Sequence, residues 1–64
     1  MADYAPALKK LLRESGCRFD RPAKGDHEFW YSPHTNRKFV VDHEIKSRHT
    51  ANEVLKQAGL SKAF

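Results

Sequence analysis

The sequence predicts an α+β fold in which two helices pack on one face of a three-stranded antiparallel sheet. An amphipathic segment near each end of the 64-residue chain has its apolar residues at helical spacing, and the stretch between them alternates with a period of two. Each amphipathic segment is followed by a glycine, Gly16 or Gly59, of the kind that ends a helix in the left-handed conformation. We expect residues 1–64 to form a single domain, because a chain of this length can bury only one small core.

The first helix is predicted over residues 3–16, "DYAPALKKLLRESG". Asp3 can accept hydrogen bonds from the free amides of the first turn, and Pro6 is tolerated only that early in a helix. The side expected to face the core consists of Tyr4, Leu8, Leu11, Leu12 and Ser15.

Three strands are expected next, at residues 17–20, 27–32 and 37–42, joined as a meander by a loop at 22–26 and by the turn "SPHTNR". Parity places Phe29 and Tyr31 on one face of the second strand and Glu28 and Trp30 on the other. We expect Phe29 to face the helices and Trp30 to lie on the open face of the sheet, available to a partner or covered by lysine side chains. The remaining predicted core residues are Phe19, Phe39, Val41 and the leucines of the first helix, with Cys17 as a small buried residue.

The last helix begins between Ser47 and Thr50. Ser47 is favoured as its N-cap, although Thr50 with Glu53 also matches a capping box. Gly59 is expected to end the helix, with Leu60 packing back against it.

Composition favours a polyanionic partner. Lys and Arg number 12 against 8 Asp and Glu, which gives a formal charge of +4. A single Cys excludes an internal disulfide, and no signal peptide or membrane-spanning apolar run is visible, so that we expect a cytoplasmic protein without a membrane partner. Four His and one Cys match no common zinc spacing, and we expect neither a metal nor a cofactor.

Three stretches, "LLRESGCRF", "KGDH" and "VLKQAGL", together resemble the HicA toxin family, the small messenger-RNA interferases of bacterial toxin–antitoxin pairs. The resemblance implies a fold like that of double-stranded-RNA-binding domains, metal-independent cleavage of mRNA by one catalytic histidine, and neutralisation by a HicB-like antitoxin. The catalytic histidine of the family falls on His27 and its turn glycine on Gly25. Two departures are Asp26, where the family commonly has Ser, and Asp42-His43, where it often has Pro-His.

His27 suits this chemistry because a base that removes the proton of a 2′-hydroxyl lets that oxygen attack the neighbouring phosphate. Spacing alone favours a solvated residue at a strand start, and whether His27 acts as base or acid stays open. Lys24 is expected to be a solvated loop residue or a contact to the scissile phosphate, and Gly25 a turn residue that also permits close approach of RNA. Asp26 is expected to serve the turn or to favour the protonated form of His27.

A second candidate RNA contact is the stretch "KSRH", which contains Ser47, Arg48 and His49. Free amides and partial positive charge at a helix N-terminus can bind phosphate. A solvated helix start with a serine cap is the competing interpretation.

Three functions are therefore compatible with the residues: an endoribonuclease toxin, a non-catalytic RNA-binding module, or a protein–protein adaptor that uses an exposed Trp30. RNA decay distinguishes the first from the second, and salt-sensitive RNA binding distinguishes both from the third.

Overall fold

The structure is a computed structural model that describes residues 3–64, and it confirms the predicted fold class. The elements are α1 (Ala5–Glu14), β1 (Arg18–Pro22), β2 (Glu28–Ser32), β3 (Arg37–Val41) and α2 (Arg48–Gln57). The strands form one antiparallel sheet in the order β1-β2-β3. Within residues 3–64, neither helix has the length and apolar character needed to cross a membrane.

The helices end as their glycines predict. At the end of α2 the amide of Gly59 donates to the carbonyl of Lys56, and the amide of Leu60 donates to the carbonyl of Leu55 at 2.8 Å. This pair of hydrogen bonds is the Schellman motif, which requires a positive φ at the glycine, and Gly59 has a φ of 82°. α1 ends with the same two bonds around Gly16.

The hydrogen bonds predicted at the two helix starts are present, although α1 begins at Ala5, two residues after the start of the predicted segment. The Asp3 carboxylate accepts a hydrogen bond from the amide of Ala5 at 3.0 Å. Ser47 is the N-cap of α2, and its hydroxyl accepts from the amide of His49 at 3.2 Å. The earlier of the two possible starts for α2 is therefore the correct one.

The core confirms part of the prediction and corrects its aromatic residues. Trp30 is 2% exposed, whereas Phe19 is 48% exposed and Phe29 is half-buried on the other face of the sheet. The assignment of Phe19 and Phe29 to the core, and of Trp30 to the open face, was wrong. The buried apolar residues are Ala5, Leu8, Leu12, Cys17, Trp30, Phe39, Val41, Ile45, Ala51, Val54, Leu55 and Ala58.

Trp30 can be buried because its polar atom has a partner on the same face. The indole Nε1 donates to Oε1 of Glu28 at 2.9 Å, and Lys9 of α1 lies 3.3 Å from the same oxygen. The hydrogen bond from Trp30 lowers the pKa of Glu28, against the opposing effect of burial, and Lys9 lowers it further. Parity therefore assigned the two faces correctly, but a carboxylate beside the indole allowed the larger aromatic residue to face the helices.

Phe19 lies on β1, an edge strand whose five residues are all exposed. The pairing of β1 with β2 is irregular between Phe19 and Arg21. The ring of Phe19 meets Trp30 edge-on at the margin of the core, with centroids 6.4 Å apart.

The face of the sheet away from the helices is aromatic and basic. Arg18 lies over the ring of Tyr31 at 5.6 Å, and Arg21 lies over the ring of Phe29 at 5.5 Å. We call this surface the open face; it consists of Arg18, Arg21, Phe29, Tyr31, Lys38 and Val40.

Candidate active site

His27 lies directly before β2, at the end of a tight turn. The amide of Ala23 donates to the carbonyl of His27 at 2.9 Å, which closes the turn formed by residues 24–26. Gly25 has a φ of 71°, a conformation that L residues rarely adopt. The turn leaves the imidazole of His27 with 50% of its surface exposed.

Asp42 holds the His27 ring across the sheet. Glu28 and Val41 are paired at the end of the β2–β3 ladder; His27 directly precedes Glu28, and Asp42 directly follows Val41. Nδ1 of His27 lies 2.6 Å from Oδ1 of Asp42. When neutral His27 donates its Nδ1 proton to this carboxylate, the lone pair is on Nε2, which is the arrangement a general base needs.

The segment that carries Asp42 is tied to the start of α1. The Asp3 carboxylate accepts from the amide of Ile45 at 3.0 Å, and the amide of Tyr4 donates to the Ile45 carbonyl at 2.7 Å. The hydrogen bonds from the Ile45 and Ala5 amides lower the pKa of Asp3. These contacts, together with the buried Ile45 side chain, fix the path of the chain just after Asp42.

His27 and Asp42 line an open pocket of about 330 Å³. Its other lining residues are Asp26, His43 and Glu44, so that two imidazoles and three carboxylates share one small volume. Within residues 3–64, no group of three or more His, Cys, Asp or Glu side chains is arranged to hold a metal ion. The imidazoles and carboxylates of the pocket can transfer protons, but its three carboxylates would repel a phosphate.

The structure does not bring all the predicted RNA-binding residues together. Lys24 and Gly25 are exposed in the turn before His27 but do not line its pocket. Ser47 uses its hydroxyl as the cap of α2. Arg48 and His49 line a separate groove of about 540 Å³ along α2, which also contains two lysines, Lys56 and Lys62.

A comparison with models of known protein families identifies the family of this chain. The family model described as the HicA toxin of bacterial toxin–antitoxin systems matches residues 6–60, which include all five elements except the first residue of α1. The chain belongs to the HicA toxin family. The resemblance inferred from the sequence is thereby confirmed, and the family makes this protein the toxin of a toxin–antitoxin system with an antitoxin as its partner.

No curated protein and no solved structure is significantly similar to this HicA chain. The description of its site therefore rests on the geometry of this chain alone.

Three features of this HicA protein differ from what the sequence suggested. Asp42 was noted only as a departure from Pro, although extending the strand register by one pair would have placed it opposite His27. Asp26, the carboxylate expected beside His27, forms no hydrogen bond or ion pair with the ring in the described part of the chain. The stacking of Arg18 and Arg21 on β2 aromatics was also missed, because Phe29 was assigned to the core.

Proposed function

We propose that this HicA protein is a metal-independent endoribonuclease that cleaves mRNA with His27 as its catalytic residue. The observation that carries the proposal is the half-exposed imidazole whose Nδ1 lies 2.6 Å from Asp42, at the end of a turn open to a large substrate. Such an imidazole has one nitrogen held and the other free to accept a proton.

The reaction needs only groups that RNA and His27 supply. Nε2 of His27 takes the proton of a 2′-hydroxyl, the 2′-oxygen forms a bond to the adjacent phosphorus, and the bond from phosphorus to the 5′-oxygen breaks. Water supplies the proton to the departing 5′-oxygen, and the hydroxide that remains takes the proton from the His27 imidazolium, which restores the neutral ring. The products are a 2′,3′-cyclic phosphate and a 5′-hydroxyl. Asp42 acts through His27, as a positioning residue that holds the ring and its tautomer.

Residues around the turn and at the start of α2 are proposed as phosphate contacts. Lys24 supplies a point charge next to His27, and Gly25 carries no side chain to obstruct the RNA backbone. Ser47, Arg48 and His49, at the N-terminus of α2, are proposed to hold phosphates that flank the cut.

The partner proposed for this toxin is a HicB-like antitoxin, and the site of action is the cytoplasm, where mRNA is available. The adaptor interpretation depended on an exposed Trp30, and burial of that side chain removes its support. A non-catalytic RNA-binding role would not require a carboxylate to hold the His27 ring, as Asp42 does.

The test is RNA decay by His27→Ala, with His34→Ala as the matched control. His34 is another exposed histidine, in the turn that follows the opposite end of β2. We expect His27→Ala to fold and to lose cleavage by at least about a hundredfold together with growth arrest, because removal of a general base costs roughly 10²–10⁴ in rate. His34→Ala should cleave at close to the parent rate. A folded His27→Ala protein that degrades RNA like the parent would refute the mechanism.

A further inference from the structure

The alternation of β2 places the catalytic residue and the aromatic residues of the open face on one surface. His27 directly precedes β2 and is two residues from Phe29, which is two residues from Tyr31. Val40 pairs with Phe29, and Asp42, which directly follows β3, contacts the His27 ring. Alternate residues of a strand lie about 6.6 Å apart. The imidazole therefore stands at one end of a row whose next two members are aromatic rings.

The open face can attract a polyanion, which the His27 pocket by itself cannot. Arg18, Arg21 and Lys38 bring three positive charges to this surface, and Asp20, paired with Lys38 at 3.2 Å, offsets one of them. The pocket, in contrast, contains three carboxylates. Attraction for RNA at the reacting end must therefore come from neighbouring surfaces, and the open face is continuous with the pocket through His27.

We propose that the open face is a platform for single-stranded RNA, which lies across the sheet with about two bases stacked on the Phe29 and Tyr31 region and its backbone directed to His27. This inference rests on the proposed function, because it specifies the form of RNA that the same site accepts. Arg18 and Arg21 lie over the two rings, at 5.6 and 5.5 Å from the ring centroids, and a guanidinium group can stack on a base or contact a phosphate.

Stacking selects unpaired RNA. The bases of a duplex are covered by their neighbours, and a duplex presents mainly its backbone to a protein surface. Sheet-based RNA-binding modules stack two or three unpaired bases on aromatic residues of exposed strands. The open face has the residues for this arrangement, whereas the helix-covered face buries its largest aromatic side chain, Trp30.

The stacking contribution is tested by RNA binding in a His27→Ala background, so that cleavage does not interfere. Phe29→Leu keeps an apolar side chain and removes the ring; Phe19→Leu is the matched control, because Phe19 is exposed but contacts Trp30 on the opposite face. We expect Phe29→Leu to weaken binding of an unstructured RNA dodecamer by roughly 5- to 100-fold, the range for loss of one base–aromatic stack. Phe19→Leu should bind like its parent, and the same RNA annealed to its complement should bind more weakly than the single strand.

The contribution of positive charge to RNA binding is tested by substituting, one at a time, two arginines that both lie over aromatic rings. Arg18 lies over Tyr31 on the open face, and Arg13 lies over Trp30 at 5.8 Å on the helix side. We expect Arg18→Ala to reduce the slope of log affinity against log salt by about 0.7, the value for one phosphate contact to a single strand, and Arg13→Ala to leave it unchanged. Arg18 is exposed, so that this arm remains informative if Phe29→Leu fails to fold.

The platform is refuted if the Phe29 and Arg18 variants bind RNA like the parent, if the control variants weaken binding equally, or if the duplex binds as tightly as the single strand. Loss of antitoxin binding without loss of RNA binding would also refute it and would assign the open face to the antitoxin. Failure of the proposed function is a separate result: a protein that binds RNA through the open face but cuts none would refute the enzyme and leave the platform intact.

Discussion

At the scale of single residues, the catalytic proposal depends on a side-chain pair that joins two strands. Sequence reasoning could place His27 at the start of a strand, because Gly25 and Asp26 are strong turn signals. It placed only Asp26 beside His27, because the position of Asp42 depends on the register of β2 against β3. The structure brings Asp42, fifteen residues away along the chain, to 2.6 Å from the ring.

The first prediction at this scale concerns Asp42→Asn. An amide can turn its NH₂ group toward Nδ1 and thus favour the tautomer in which Nε2 carries the proton, so that the lone pair needed for proton abstraction is lost. We expect kcat for RNA cleavage to fall by about tenfold or more, but by less than the roughly 10²–10⁴ expected for removal of the base itself. KM should change little, because Asp42 does not bind the substrate.

The matched control is Asp26→Asn, which removes one negative charge from the same pocket without removing a contact to the His27 ring. Its kcat should stay near the parent value. Equal losses in the two variants would mean that only the charge of the pocket matters, and that Asp42 does not position His27.

At the scale of secondary-structure elements, the ends of the helices could be predicted from the sequence. Which face of β2 packs against the helices could not. Ser47 and Gly59 act through local hydrogen bonds, which a few neighbouring residues determine. The orientation of β2 depended instead on whether Trp30 could find a hydrogen-bond partner inside the fold, and Glu28 provides it. Pro22 extends β1 beyond its predicted end at residue 20, which an edge strand tolerates because it pairs on one side only.

The end of α2 is locked to the turn between β2 and β3. The buried hydroxyl of Ser32 donates to the carbonyl of Ala58 at 2.6 Å and accepts from the amide of His34. Gly59 approaches the same turn so closely that a Cβ on it would lie 2.9 Å from Cγ2 of Thr35.

The prediction at this scale compares Gly59→Ala with Gly16→Ala. Both glycines have positive φ, which costs an alanine roughly 1–2 kcal/mol. A Cβ on Gly16 would meet its nearest neighbour, Cγ of Pro33, at an ordinary 3.7 Å, whereas a Cβ on Gly59 would also clash with the turn. Urea unfolding should therefore show a larger loss of stability for Gly59→Ala. Equal losses would show that the turn moves aside freely, and that the β2–β3 turn is not locked to α2.

At the scale of the whole molecule, two carboxylates connect segments that are distant in sequence. Asp3 links the start of α1 to Ile45 before α2, and Glu28 links β2 to Lys9 of α1. The pKa of each carboxyl lies below its ordinary value, 3.8 for Asp3 and 4.5 for Glu28, mainly because hydrogen bonds from Ile45 and Trp30 respectively favour the charged form.

The lowered pKa values of Asp3 and Glu28 make the stability of the fold depend on pH in the acid range. Because the unfolded chain binds these two protons at higher pH than the folded chain, the contribution to stability is complete above the ordinary pKa values and is lost as pH falls through the folded ones. We expect the urea midpoint to decrease below about pH 4.5. The double variant Asp3→Asn/Glu28→Gln should show a flatter decrease.

The control for this measurement is Glu14→Gln. Glu14 is exposed at the end of α1 and takes part in no ion pair among the described residues. Its pH profile should follow that of the parent. If the double variant keeps the full acid dependence of the parent, Asp3 and Glu28 are not the groups that connect these segments.

The central claim is that His27 activates a 2′-hydroxyl of RNA, and the most direct measurement is product analysis on matched substrates. The parent protein and His27→Ala are each incubated, in the presence of chelator, with a single-stranded RNA that the parent cuts and with its fully 2′-deoxy counterpart. The account predicts that the parent cuts only the RNA and leaves a 2′,3′-cyclic phosphate and a 5′-hydroxyl, and that His27→Ala cuts neither substrate. Cleavage of the 2′-deoxy strand, 5′-phosphate products, or cleavage by His27→Ala at the parent rate would contradict it.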